Sequence, residues 1–278
     1  MSRRIVLCAD DYGQDEAVSA GIAALAGLGR ISATSCMASS NYWPQAAPLI
    51  KGFRGRIDVG LHFTLGIDPA LEGGAYAGLG ALVVAAYLRR LKRERIEETL
   101  ERQLDRFEQA IGSPPDFIDG HQHVHQLPVV RDALLAVYER RLRRHAPYIR
   151  SAATIARRPS PVKSLIVRGL GASTLARRMD ALGIPHNREF AGVYRFGAGD
   201  YRQLMRGWLA AAHDGSLIMC HPGRDSARNP RDPIGASRDR EYRYFAGDDF
   251  AADLREYNAL LVRGCELPSY AMYPPRIP

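Results

Sequence analysis

Four short apolar runs in this chain each stop on an aspartate or a histidine, and that recurrence limits the fold more than any other feature. Ile5 to Ala9 run into Asp10, Asp11, Tyr12 and Gly13. Ile57 to Leu65 carry His62 between apolar neighbours, with Gly60 removing bulk just upstream. Phe117 and Ile118 lead to Asp119, Gly120, His121, Gln122, His123, Val124 and His125, and Leu217 to Cys220 lead to His221, Pro222 and Gly223. Parallel β/α enzymes place their chemistry at the C-terminal ends of the strands, so the four segments are expected to converge on one site.

The rest of the pattern agrees. Strands are expected near residues 4–9, 31–38, 57–64, 116–121, 148–153, 163–167, 216–221 and 265–270. Helical periodicity marks 14–28, 94–111, 129–143, 200–213 and 248–263. Such alternation argues for α/β architecture with a parallel sheet. Two segments fall outside the repeat, 66–90, rich in Gly and Ala, and 222–247, rich in Arg, Asp, Gly and Pro with Tyr242 and Tyr244. Both follow strands of the proposed site and are expected to wall a substrate cleft, where aromatic and polar side chains suit a sugar.

Taken singly, each motif has a plain reading beside its chemical one. Extended chain would put Asp119, His121, His123 and His125 on one face, a candidate metal shell because imidazole is the commonest protein metal ligand; a polar turn before a helix is the alternative. One of Asp10 and Asp11 could cap the helix that follows, or the pair could supply one ligand and one base. His62 alone reads as a core histidine, and His221 alone as a polar strand end.

Together the blocks Ala9–Gly13, Gly60–Phe63, Asp119–His125 and Met219–Pro222 resemble, in order and spacing over nearly the whole chain, the YdjC-like carbohydrate deacetylases. That group includes chitooligosaccharide deacetylase and the hopanoid-biosynthesis deacetylases and is related to the larger polysaccharide deacetylase group. The resemblance implies a distorted (β/α) barrel in a single domain spanning 1–278. It implies one divalent metal, of zinc type or magnesium, on Asp11, His62 and His121, with Asp10 as catalytic base and His221 as general acid. Arg150 would orient Asp10 or substrate. His123, His125 and Tyr12 are expected to support the metal ligands or touch substrate, and backbone N–H groups near Tyr12 and Gly13 to hold the oxyanion. The implied reaction is hydrolysis of the N-acetyl group of an acetylated amino sugar, in an oligosaccharide or a glycolipid, by a homodimeric enzyme. It needs a Lewis acid for a poor electrophile, a base for water and an acid for the leaving amine, and it predicts a bell-shaped pH profile. Two other classes remain open: a different metal-dependent hydrolase such as a phosphoesterase, and a carbohydrate-binding protein without catalysis.

Composition separates some classes. The 278 residues, 46% hydrophobic, suit a globular enzyme. No uncharged apolar stretch reaches the roughly 18–20 residues of a membrane span. The first strand begins at Arg3, which leaves no room for a cleaved signal peptide, so a cytoplasmic enzyme is expected. Cys8, Cys36, Cys220 and Cys265 lack CxxC spacing and read as reduced core residues. The net charge of +8 gathers in clusters at Arg89 to Arg95, Arg140 to Arg144 and Arg224 to Arg243. The first two lie beside the stripe Ile96, Leu100, Leu104, Phe107 and Ile111 and read as solvated helix faces. No nucleic-acid motif accompanies the charge, so nucleic acid is not expected as a partner, whereas peripheral contact with anionic lipid is a further expectation.

Overall fold

The computed structural model describes residues 2–66, 78–154, 167–197, 199–267 and 270. The elements run β1 (Arg3–Tyr12), α1 (Glu16–Gly27), β2 (Ala33–Cys36), α2 (Trp43–Lys51), β3 (Asp58–Phe63), α3 (Leu79–Tyr87), α4 (Arg93–Ile111), β4 (Phe117–Gly120), α5 (Val130–Val137), β5 (Tyr148–Ile149), α6 (Ser173–Leu182), β6 (Phe190–Ala191), α7 (Tyr201–Ala211), β7 (Ser216–Cys220), α8 (Gly235–Ala246), α9 (Asp248–Glu256) and β8 (Ala259–Leu261).

The eight strands form one sheet in the order β5-β4-β3-β2-β1-β7-β6, with β8 also on β1, and every pairing is parallel. Parallel strands are covered by helices on their outer face, so they read as continuous apolar runs; β1 is buried from Ile5 to its end. The sheet curls until its two edges meet. Ile149 N–H donates to Pro185 O at 2.9 Å, Ser151 N–H to Asn187 Oδ1 at 2.8 Å and Phe190 N–H to Thr154 O at 2.8 Å. The result is the expected distorted barrel, closed by a few bonds between β5 and the segment that enters β6.

Helices follow where periodicity is clear. In α4, Ile96, Leu100, Leu104, Phe107 and Ile111 are buried on one stripe. The helix expected at 129–143 is α5 continued by a wider, π-type turn over Tyr138–Leu142. Three expectations change. The 265–270 strand is instead β8, at Ala259–Leu261, and Gly264–Glu266 make a 3-10 turn. The 248–263 helix accordingly stops at Glu256. β5 keeps only two residues: Arg150 N–H still reaches Ile118 O of β4 at 3.0 Å, but Ser151 N–H turns to the side chain of Asn187. The expected strand at 163–167 lies outside the described residues except for Val167, which is helical. Three cysteines are buried thiols, but Cys265 is exposed, its Sγ 3.0 Å from Asp58 Oδ1.

Gly60 shows how tightly the layers fit. A Cβ there would lie 2.4 Å from the ring of Phe117, which stacks on Tyr148 at 5.0 Å. Both rings are buried, so neither has room to give. Gly60→Ala is therefore expected to cost about 1–3 kcal/mol through overpacking, read as a lower urea midpoint with an unchanged slope.

Candidate active site

Neighbouring residues of a regular strand point to opposite faces, yet Asp10 and Asp11 both line the same cavity. The reason is a bulge in β1. Ala9 pairs with Thr34 and Tyr12 with Cys36, so three steps on β1 oppose two on β2. The extra residue is absorbed at Asp11, whose φ of 72° is left-handed, a conformation aspartate tolerates better than most residues. Bulges re-aim side chains in this way.

Asp10 is gripped from behind. Arg150, just past β5, donates from Nη1 to Asp10 Oδ2 and from Nη2 to Oδ1, both at 2.6 Å, and lies 3.0 Å from Cys8 Sγ. The same Nη2 lies 2.7 Å from Asp119 Oδ2. All four side chains are buried. Burial would push the Asp10 carboxyl up, but the charge and hydrogen bonds of Arg150, with His62 and His221 nearby, hold it well below the usual carboxylate range.

Asp119 passes the constraint on. Its Oδ1 lies 2.6 Å from His62 Nδ1, which fixes that ring with Nε2 toward Asp11. His62 Nε2 lies 3.3 Å from Asp11 Oδ1, and His121 Nδ1 lies 3.1 Å from the same oxygen and 3.3 Å from His62 Nε2. Burial disfavours charge on His62, but Asp119, Asp11 and Asp10 outweigh it and push its pKa up to about 10. The surroundings thus favour positive charge at this point.

These three donors fit a divalent ion. Ligand atoms about 2.0–2.2 Å from one metal stand about 3 Å apart, which matches the spacing found, and His62 Nε2 and His121 Nδ1 converge on one carboxylate oxygen. The other group of possible ligands among the described residues, Cys8, Asp10 and Asp119, closes instead around the guanidinium of Arg150.

Asp11 has a second hold. Its Oδ2 accepts from Arg238 Nη2 at 2.7 Å, while Arg238 Nε donates to Asp232 Oδ2 at 2.8 Å. Burial pushes Asp11 up, and Arg238 with His121 and His62 bring it well below its ordinary value. His221, one residue past β7, sets Nε2 4.0 Å from Asp10 Oδ2 and rests edge-on against Phe196. Its backbone N–H donates to Glu241 Oε2 at 2.6 Å; burial pushes Glu241 up to about 7, against the hydrogen bonds from Tyr194 and His221.

The site opens into a cavity of about 560 Å³ whose floor carries Asp10, Asp11, His62, His121, His123 and His221. Leu79, Val167, Leu170, Val193, Phe196 and Met219 line it, and Arg231 to Ile234 with Arg238 close one side. Both unassigned segments therefore contribute to the walls, 66–90 through Leu79, with 67–77 outside the described residues. Tyr242 and Tyr244 do not line the cavity; they pack in the core, where Tyr244 donates to Asp253 at 2.9 Å.

The expected single face of Asp119, His121, His123 and His125 does not form. β4 ends at Gly120, and Gln122 and His123 turn left-handed at φ 52° and 61°. The turn brings His121 to Asp11, leaves His123 packed edge-on against Phe190 at 5.6 Å, and buries His125 with its Nε2 3.0 Å from Arg150 O. Burial keeps both inner rings neutral, with His125 lowered to about 4 and His123 well below its ordinary value. Tyr12 points away from the cavity and donates to Ala46 O at 2.7 Å, and Gly13 N–H is spent on Ser19 Oγ at 3.0 Å. Neither the Tyr12 side chain nor the Gly13 amide is thus available to substrate. Sequence reasoning passed over Asp119 as a partner of His62, and Arg238, Asp232 and Glu241 altogether. The only signal for the last three was a charged stretch after a Pro-Gly stop with too few apolar positions to form a solvated amphipathic helix.

The chain is similar to several known proteins. A chitooligosaccharide deacetylase of Serratia marcescens is 32% identical over 137 residues, covering 47% of this chain and 53% of that protein. A carbohydrate deacetylase of Danio rerio is 32% identical over 145 residues, 48% and 46% respectively. The matched stretch thus spans about half the length of these relatives. The fold matches that of an Enterococcus faecalis protein whose suggested role is cellobiose-phosphate cleavage, with TM-score 0.67, 18% identity and coverage of 98% and 100%. It also matches a peptidoglycan N-acetylglucosamine deacetylase, with TM-score 0.53, 12% identity and coverage of 96% and 87%. The sequence profile described as YdjC-like protein matches residues 4–256, and the chain belongs to that family.

Proposed function

We propose that this chain is a metal-dependent N-deacetylase, acting as one domain, that hydrolyses the acetamide of an acetylated amino sugar and releases acetate. The observation that supports this reading is the position of Asp10 and His221, 4.0 Å apart beside the triad of Asp11, His62 and His121. A base, an acid and a set of metal donors then share one cavity floor. The substrate class comes from the relatives, one named for chitooligosaccharide and the other for carbohydrate.

Asp11 Oδ1, His62 Nε2 and His121 Nδ1 would hold the ion, and two imidazole nitrogens with one carboxylate favour zinc-type metals over magnesium. Bound there, a divalent ion supplies a Lewis acid for the amide carbonyl and acidifies water. Asp10 takes the proton of the attacking water, and Arg150 keeps the carboxylate ionised and aimed. His221 Nε2 gives a proton to the departing nitrogen, so the products are acetate and a free amine. Glu241 fixes the main chain at His221, which sets where that proton is delivered.

The direct test is acetate release from N-acetylglucosamine oligomers and acetylated glycolipids, using stripped protein reloaded with zinc, cobalt or magnesium. Release is expected only with metal, and Asp10→Asn is expected to lower it by about 10²–10⁴-fold; no release by loaded protein across the panel would refute the reading. Because Arg150 holds Asp10 ionised, the acid limb of the kcat/KM profile is expected below the range of ordinary carboxylates. His221→Gln, which removes the proton donor, is expected to lower release by about 10²–10⁴-fold. Stripping the metal should also lower Tm, by the equivalent of about 2.7 kcal/mol for an ion present at a hundred times its Kd, as read by calorimetry.

A further inference from the structure

The outer face of α3 is apolar where a solvent-facing helix is ordinarily charged. Of the six exposed large apolar side chains among the described residues, three, Val84, Tyr87 and Leu88, fall within five positions, at 57%, 49% and 55% exposure. With exposed Gly80 they stand at i, i+4, i+7 and i+8, and so share one face. From Leu79 to Leu88 the chain carries no charge, and then Arg89, Arg90, Lys92, Arg93 and Arg95 follow, all exposed, with Glu94 as the one acid among them. Of the next glutamates, Glu97 pairs with Arg93 and Arg140 and Glu101 with Arg140 and Arg141, while Glu98 is exposed.

This helix is also the rim of the active-site cavity. Leu79 lines that cavity and, with Leu82, an adjoining pocket of about 270 Å³ that reaches His121. Tyr87 donates its hydroxyl to Gly169 O, which ties α3 to the segment whose Val167 and Leu170 line the cavity as well. Whatever covers the outer face of α3 therefore lies next to the mouth of the site.

We propose that α3 and the basic run after it dock the protein on an anionic lipid surface, placing the cavity mouth at the bilayer. An apolar face alone would suit many partners. An apolar face followed directly in sequence by five exposed basic residues matches acyl chains bounded by anionic headgroups, the pairing that holds interfacial helices. Delivery of a lipid-borne acetylated sugar to the cavity rests on the deacetylase reading; docking itself does not.

The test is sedimentation of the full chain with phosphatidylcholine vesicles, with and without phosphatidylglycerol. The protein is expected to pellet with the anionic vesicles and to be released by salt. Arg89→Gln, Arg90→Gln and Lys92→Gln combined should weaken partition about a hundredfold, at roughly fivefold per charge. Val84→Asp with Leu88→Asp should abolish it. Both variants should deacetylate a soluble N-acetylglucosamine oligomer as the parent does, since none of these residues lines the cavity. A parent protein that ignores both kinds of vesicle overturns the docking proposal. So does light scattering that shows a dimer split by the double aspartate variant, because a second copy would then cover the face. Vesicle binding by a protein that releases no acetate would leave docking standing and refute the deacetylase reading instead.

Discussion

One buried guanidinium organises this site. Arg150 brings a positive charge to a place where β1 and β4 each deliver a carboxylate, and it bonds or pairs with Asp10, Asp119 and Cys8 together. Asp10 would not remain ionised there alone, because an unpaired buried charge costs several kcal/mol. With the cation in place, Asp119 is free to fix His62, and His62 faces Asp11. The proposed base and the proposed metal donors are thus successive links in one chain of charges. Its planar fork matters as much as its charge, since a lysine could not meet Asp10 with two parallel bonds.

The second support comes from the far end of the sequence. α8 carries Arg238 and Glu241 three positions apart, hence on one side of the helix. The first reaches Asp11 and the second reaches the main chain of His221. Asp11 and His221, the proposed metal donor and acid, are therefore held by the same helix, which belongs to the segment that walls the cavity. Asp232 completes the arrangement by neutralising the other edge of Arg238.

What the sequence made legible follows the range of the forces involved. Buried parallel strands must be apolar and must end in a turn, so Ile5–Ala9 and Leu217–Cys220 announce both themselves and the residues that follow them. The stripe of α4 is equally plain, being a matter of 3.6-residue spacing. The left-handed turn at Gln122 and His123 was not legible. It depends on Gly120 lying where any Cβ would strike His125, 2.8 Å from its Nδ1, and nothing local distinguishes that glycine from an ordinary strand residue. Arg238 and Glu241 were illegible for a related reason: a charge reads as solvent-facing until its partner, more than two hundred residues away in the case of Asp11, is known. α3 escaped because an apolar helix without a polar side has no period to detect.

The bulge in β1 bears on any effort to move this chemistry to another scaffold. Adjacent aspartates grafted onto a regular strand would present one carboxylate to the pocket and bury the other in the helical layer behind it. The unit to be copied is therefore the extra step in the strand together with the left-handed backbone at Asp11 and the arginine that holds each acid. A search for such centres by side-chain identity alone would miss the main-chain irregularity that makes two neighbours face the same way.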